Sequence, residues 1–225
     1  MHATHATLPG THSLPGPEAA LVGLAALAVV MIPFLWPLVD HLDTMAHEGA
    51  HAIATSAMGF TLLGVTLDQE SNGATSYLGP SDGPRRLLIS FVGYLGPSAF
   101  GLCAAKLIET AHVVSVLWVA TILLVLLLFL IRKSFGIVSV PAAIALLAVV
   151  MRYADDGFED VVSYGMTWLL LLSGVRTAVA HGAGAGDAWT LAAITHLPRQ
   201  LWALLWIAGT FLAVIVGGKW LVLRS

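Results

Sequence analysis

Charge is scarce in this sequence. Asp, Glu, Lys and Arg together make up 10% of the 225 residues, against 58% hydrophobic residues and a mean hydropathy of +0.87. That balance lies outside the usual range of water-solvated globular proteins and points to a bilayer as the main solvent. The ten Lys and Arg are scattered, and no basic run alternates with aromatic residues as a nucleic-acid groove requires, so nucleic acid is not an expected partner. Cysteine is nearly absent. Cys103 has no second thiol to pair with, which excludes an internal disulfide, and it reads as a packing residue in an apolar stretch. Missing too is any Lys or Arg in MHATHATLPGTHSLPGPEAA, so the positive n-region of a cleaved secretory signal is lacking and the N-terminus is expected to be retained. His2, His5 and His12 lie there among Pro, Gly, Ser and Thr, a composition that favours a flexible, solvated tail over 1–19.

What is abundant is apolar sequence of spanning length. A hydrocarbon core about 30 Å thick takes roughly 20 apolar helical residues to cross. Such runs occur at Ala20 to Val39, Leu87 to Ile108, Val113 to Ile131, Phe135 to Met151, Val161 to Val179 and Leu201 to Leu223. A seventh segment, Leu42 to Leu63, is helical in pattern but carries Asp43, His47, Glu48 and His51, which would be costly against lipid and must face protein or a water-filled cavity. The expected fold class is therefore an all-α polytopic membrane protein of six to seven transmembrane helices, forming one domain over 20–225. Two stretches interrupt the helical pattern. Gly64 to Arg86 alternates like a strand in GVTL, turns at Ser71, Asn72 and Gly73, and returns through ATSYLG, which predicts a short β-hairpin. Ala180 to Pro198 contains HGAGAGDAW, too rich in glycine to continue a helix.

The chemistry-bearing residues are few. His47, Glu48, Gly49, Ala50 and His51 spell H-E-x-x-H, and at about 3.6 residues per turn both histidines project from one helix face. That spacing suits two imidazole ligands on one zinc ion, with Glu48 beside them to take a proton from an attacking water. Three ionisable groups in an apolar segment cost several kcal/mol each if unsatisfied, which favours metal coordination over a chance match. Asp43 shares the histidine face and either orients an imidazole or, with Asp40, caps the start of the helix.

A catalytic zinc usually has three protein ligands and one open position. Asp155, Asp156, Glu159 and Asp160 crowd into YADDGFED, which reads as a solvated loop. Asp187 is a lone acid in the glycine-rich break, where irregular backbone is tolerated if it lines a cavity. It is the expected third ligand, and the competing reading is a cap on the helix that begins at Ala188. His181 and His196 remain alternatives, while His112 reads as interfacial.

HEGAHAIATSAMGF followed by GVTLDQESNGATSYLGP, then FVGYLGPSAFGL, and later GDAWTLAAITHLPRQLWALLW, together resemble the site-2 protease family of intramembrane zinc metallopeptidases. The likeness is to its compact bacterial subgroup, which lacks an inserted PDZ domain. Many members carry an Asp within an Asn/Leu-Asp-Gly tripeptide; this chain has none, and Asp187 takes that place by analogy. The resemblance implies an integral, multi-pass protein of a bacterial cell membrane, zinc as cofactor, and transmembrane or membrane-proximal peptides as substrates. An edge of the hairpin, at Val65 to Leu67 or Ala74 to Tyr77 and near the Asn72-Gly73 turn, can pair with an unwound substrate or serve as a plain connection. The other functional class is a non-proteolytic metal-binding membrane protein: a transporter, a sensor or a degenerate relative.

Overall fold

The computed structural model describes residues 13–132, 134–184 and 186–223. His2, His5 and His12, with most of the expected tail, lie outside the described residues. In chain order come α1 (Gly16–Met31), α2 (Pro37–Ala57), β1 (Thr61–Leu67), β2 (Gly73–Leu78), α3 (Gly83–Val92), a 3₁₀ turn (Gly93–Leu95), α4 (Gly96–Glu109), α5 (Val113–Leu130), α6 (Ser134–Tyr153), α7 (Asp156–His181), α8 (Gly186–Thr195) and α9 (Arg199–Val222). The protein is thus a helical membrane protein with one small antiparallel sheet among the described residues.

Among the described residues four helical segments are long and apolar enough to cross a membrane: Gly83–Glu109, which runs through α3, the 3₁₀ turn and α4, then α5, Phe135–Tyr153 and α9. α1 is apolar but only 16 residues long. α2 and α7 reach 21 and 26 residues, and polar side chains dilute their hydropathy. Those side chains point inward: Asp43, Glu48, His51 and Thr55 are buried on α2, and Asp160, Ser163, Thr167 and Ser173 on α7.

The first two expected helices divide differently from the hydrophobic pattern. The run Ala20 to Val39 breaks after Met31, and Pro37, which has no N–H to donate, opens the next helix. The motif helix therefore spans Pro37–Ala57 instead of Leu42 to Leu63. It stops where Gly59 adopts φ +74°, with Phe60 N donating to Thr55 O and Gly59 N to Ser56 O, both at 3.1 Å. This is a Schellman end, which an apolarity scan cannot see. The acidic cluster is likewise helical: Asp155 caps α7 by accepting from Phe158 N at 2.8 Å, and Asp156 and Glu159 sit in the first turn, where the helix dipole favours anions.

α7 is the axis of the bundle, packing against α1, α4, α5 and α9. Tyr164, Trp168 and Leu171 fill its faces against Ala104, Ala105 and Ile108 of α4. Two polar ties hold α1 to it. Trp168 Nε1 donates to Ala19 O at 3.0 Å, and Arg176 donates to Val30 O while lying over the Trp36 ring at 4.4 Å. Arg176 thereby satisfies an orphan carbonyl at the end of α1 and shields its own charge on an aromatic face.

The hairpin pairs Thr66 with Ala74 and Val65 with Thr75. The outer edge of β1 is taken: Val65 bridges Ile131 in parallel, Arg132 N donates to Val65 O at 2.9 Å, and Arg132 Nε donates to Leu63 O at 3.1 Å. Residues Gly73 to Tyr77 of β2 line a cavity beside α2.

Candidate metal centre

The cavity, about 740 Å³, lies where α2, β2, the 3₁₀ turn and α8 converge. α2 contributes His47, Glu48 and His51. The Nε2 atoms of His47 and His51 are 3.0 Å apart, as the four-residue spacing dictates. His51 Nδ1 donates to Ile89 O at 2.8 Å, since a carbonyl only accepts. That bond orients the ring and leaves Nε2 facing the cavity. The ring of His47 stands edge-on to Tyr94, with centroids 4.8 Å apart at 84°.

α8 brings Asp187 to the same point from 136 positions away in sequence. Its Oδ2 lies 3.1 Å from His51 Nε2 and 3.3 Å from His47 Nε2. Burial pushes the Asp187 carboxyl up, but the two imidazoles outweigh it and hold the group well below the usual carboxylate range. α8 is held in place by packing: Ala188 and Leu191 are buried with Trp202 and Trp206 of α9. Arg199 stacks over Trp189 at 3.7 Å and donates to Ala183 O at 3.3 Å, which ties down the glycine-rich break. Asp187 is in the first turn of α8, not ahead of it.

The three donor atoms form a triangle with sides of 3.0, 3.1 and 3.3 Å. Ligands about 2.0–2.1 Å from a tetrahedral zinc stand about 3.3 Å apart, so two nitrogens and one carboxylate oxygen in this arrangement fit that ion. Among the described residues this is the one group of three such side chains close enough to share a metal. The other candidates lie elsewhere. His181 lines the cavity but is not in the triangle, His196 follows the last turn of α8, and the acids of 155–160 begin α7.

Glu48, 4% exposed, accepts from Thr75 Oγ1 at 2.6 Å. Gly73 is what lets β2 come so near: a Cβ there would lie 2.6 Å from Glu48 Oε1. Asn72 closes the turn, its N donating to Asp68 Oδ1 at 2.8 Å and its Nδ2 to Oδ2 at 3.0 Å. Asp43 is inside α2, so it does not cap the helix. It is 2% exposed and accepts from Thr177 Oγ1 of α7 at 2.8 Å. Thr75 falls within the expected strand edge and Tyr94 within FVGYLGPSAFGL, but nothing in the sequence singled out either side chain or the Ile89 carbonyl, because each reaches the site through a fold contact with α2.

A helical membrane protein with an H-E-x-x-H helix and a remote carboxylate on one cavity is the class defined by these features. The family described as Peptidase M50B-like matches residues 20–217, and the chain belongs to it, as a member of the site-2 protease family. Among the described residues the hairpin is the one sheet, so no PDZ domain is inserted there. No curated protein and no solved structure matches the chain.

Gly93, in the 3₁₀ turn, presses against the imidazoles, and a Cβ there would fall on the Nε2 atoms of both His47 and His51. Gly93→Ala is expected to weaken divalent-cation binding by about tenfold or more, the scale seen when a ligand loses its supporting shell. Metal titration followed by isothermal calorimetry measures it, and far-ultraviolet circular dichroism should show the helices intact.

Proposed function

We propose that this protein is a zinc metalloendopeptidase that hydrolyses peptide bonds of transmembrane or membrane-proximal substrates. His47, His51 and Asp187 hold the metal, and Glu48 is the general base and then the general acid. The observation that carries this reading is the His47–His51–Asp187 triangle with Glu48 beside it in one cavity. We place the protein in a bacterial cell membrane as a multi-pass protein, with α1, α2 and α7 at membrane depth beside the four longer apolar segments.

Zinc bound there supplies Lewis-acid polarisation of a carbonyl and a water of lowered pKa. The chain's own groups do the rest. Glu48 takes the proton of the attacking water and returns it to the leaving amide nitrogen as the C–N bond breaks. Thr75, by donating to Oε2, fixes the carboxylate rotamer for both transfers. Asp43, one turn before His47, anchors α2 to α7 through Thr177 and keeps the histidine face turned to the cavity.

Substrate must be held extended, because the peptide bonds of a helix are hydrogen-bonded and shielded. Of the two hairpin edges, the β1 edge is taken by Ile131 and Arg132, so the β2 edge receives the substrate strand. Asp68 N donates to Asn72 O, and alternation along an antiparallel ladder then turns the N–H and C=O of Gly73 and Thr75 outward. A peptide paired there runs past Glu48.

Glu48→Gln should retain its metal and lose at least about 10²-fold in turnover, since the amide keeps the shape but accepts no proton. Cleavage of a quenched-fluorescent peptide, one membrane span in length, measures it; undiminished cleavage by a metal-loaded variant would exclude Glu48 as the base. For the strand edge, Thr75→Pro removes an outward N–H that Thr75→Val keeps. Raised KM in the proline variant only, at equal zinc content, is the expected result.

A further inference from the structure

We infer that Tyr94 is a further catalytic residue, its phenol hydroxyl donating a hydrogen bond to the carbonyl oxygen of the scissile peptide as negative charge develops there. This rests on the peptidase reading above and adds the donor that reading lacks. When the water oxygen bonds to the carbonyl carbon, the C=O π bond opens and its electron pair moves to the oxygen, while Glu48 takes the water's proton. Tyr94 donates a hydrogen bond and keeps its proton. As the C–N bond breaks, that electron pair re-forms the carbonyl and Glu48 protonates the departing nitrogen.

The ring is clamped. It stacks on Trp206, centroids 4.5 Å apart at 24°, and stands edge-on to His47. Trp206 is itself fully buried and donates through Nε1 to Phe91 O at 2.8 Å. A donor fixed before reaction needs no reorganisation when charge appears, and that is where oxyanion stabilisation gets its strength. Tyr94 is 7% exposed and lines the cavity with His47, Glu48 and Asp187. A phenol hydroxyl this buried normally has a partner. Among the described residues none is hydrogen-bonded to it, and Tyr94 lines the cavity that a substrate carbonyl would enter.

Its side of the metal centre also fits. At about 100° per residue, positions 46 and 50 lie on one flank of the His47/His51 stripe, and positions 44 and 48 on the other. Gly96, two residues past Tyr94, meets Ala46 and Ala50, whereas the hairpin meets Thr44 through Ser71 and Glu48 through Thr75. Glu48 and Tyr94 therefore flank the histidines from opposite sides. With water attacking from the Glu48 side, at an obtuse angle to the C=O bond, the carbonyl oxygen has room to lie on the Tyr94 side.

Tyr94→Phe removes the hydroxyl and keeps both ring contacts. With the quenched-fluorescent peptide of one membrane span, kcat should fall by about 10²–10³-fold, with KM and zinc content unchanged. A phosphinic peptide, whose tetrahedral centre mimics the addition product, should lose affinity by a similar factor, while the cleaved product peptide should not. A packing role would instead shift KM or zinc content, and either shift without a kcat loss would overturn the inference. Turnover within about twofold of wild type, where Glu48→Gln has lost it, would refute the role of Tyr94 and leave the peptidase reading standing. Wild-type protein that is loaded with zinc and cleaves nothing would remove both.

Discussion

Ionisable groups in apolar surroundings must each find a partner or cost several kcal/mol, and α2 carries three that are almost fully buried: Asp43, Glu48 and His51. Each is answered by a different element. Thr177 of α7 donates to Asp43, Thr75 of β2 to Glu48, and the Ile89 carbonyl of α3 accepts from His51. Satisfying one helix therefore draws three neighbours to it and sets the cavity between them. One demand is left over. His51 donates through Nδ1, which leaves its Nε2 to face His47 Nε2 and the Asp187 carboxylate at 3.0 and 3.1 Å. Three ligand atoms so close need positive charge among them, from protons on the imidazoles or from a metal ion that replaces those protons.

Close backbone approach is the second condition. Gly73 brings β2 against Glu48, and Gly93 brings the 3₁₀ turn against both imidazoles. The candidate metal centre is thus bounded on one side by an open strand edge and on the other by a fixed phenol. The same two glycines fix by direct contact how near these elements come to Glu48 and the imidazoles.

Much of this was legible in the sequence because it obeys local rules. The H-E-x-x-H spacing specifies a helix face, the alternation around Asn72-Gly73 specifies a hairpin, and α5 and α9 follow from their apolar length. Asp187 stood out as a lone acid in a glycine-rich break, and the fold places it beside the two histidines. Other features depend on information that apolarity does not carry. The break between α1 and α2 is written in Pro37, and the end of α2 in the positive φ of Gly59. Span counting blurred where α2 and α7 bury their polar side chains, which lowers hydropathy without moving a helix into water. Thr75 and Tyr94 lie in stretches that the sequence does mark, but their individual roles appear only once β2 and the 3₁₀ turn pack on α2.

The central claim is that two imidazoles and the Asp187 carboxylate share one zinc ion. X-ray absorption at the zinc edge, on protein purified with one zinc per chain, tests it most directly when wild type is compared with Asp187→Ala. Wild type should show a first shell of nitrogen and oxygen at about 2.0–2.1 Å that includes two imidazoles, and the variant should lose one protein oxygen and retain zinc more weakly. A wild-type spectrum without two imidazoles, or a shell and zinc affinity that Asp187→Ala leaves unchanged, would contradict it.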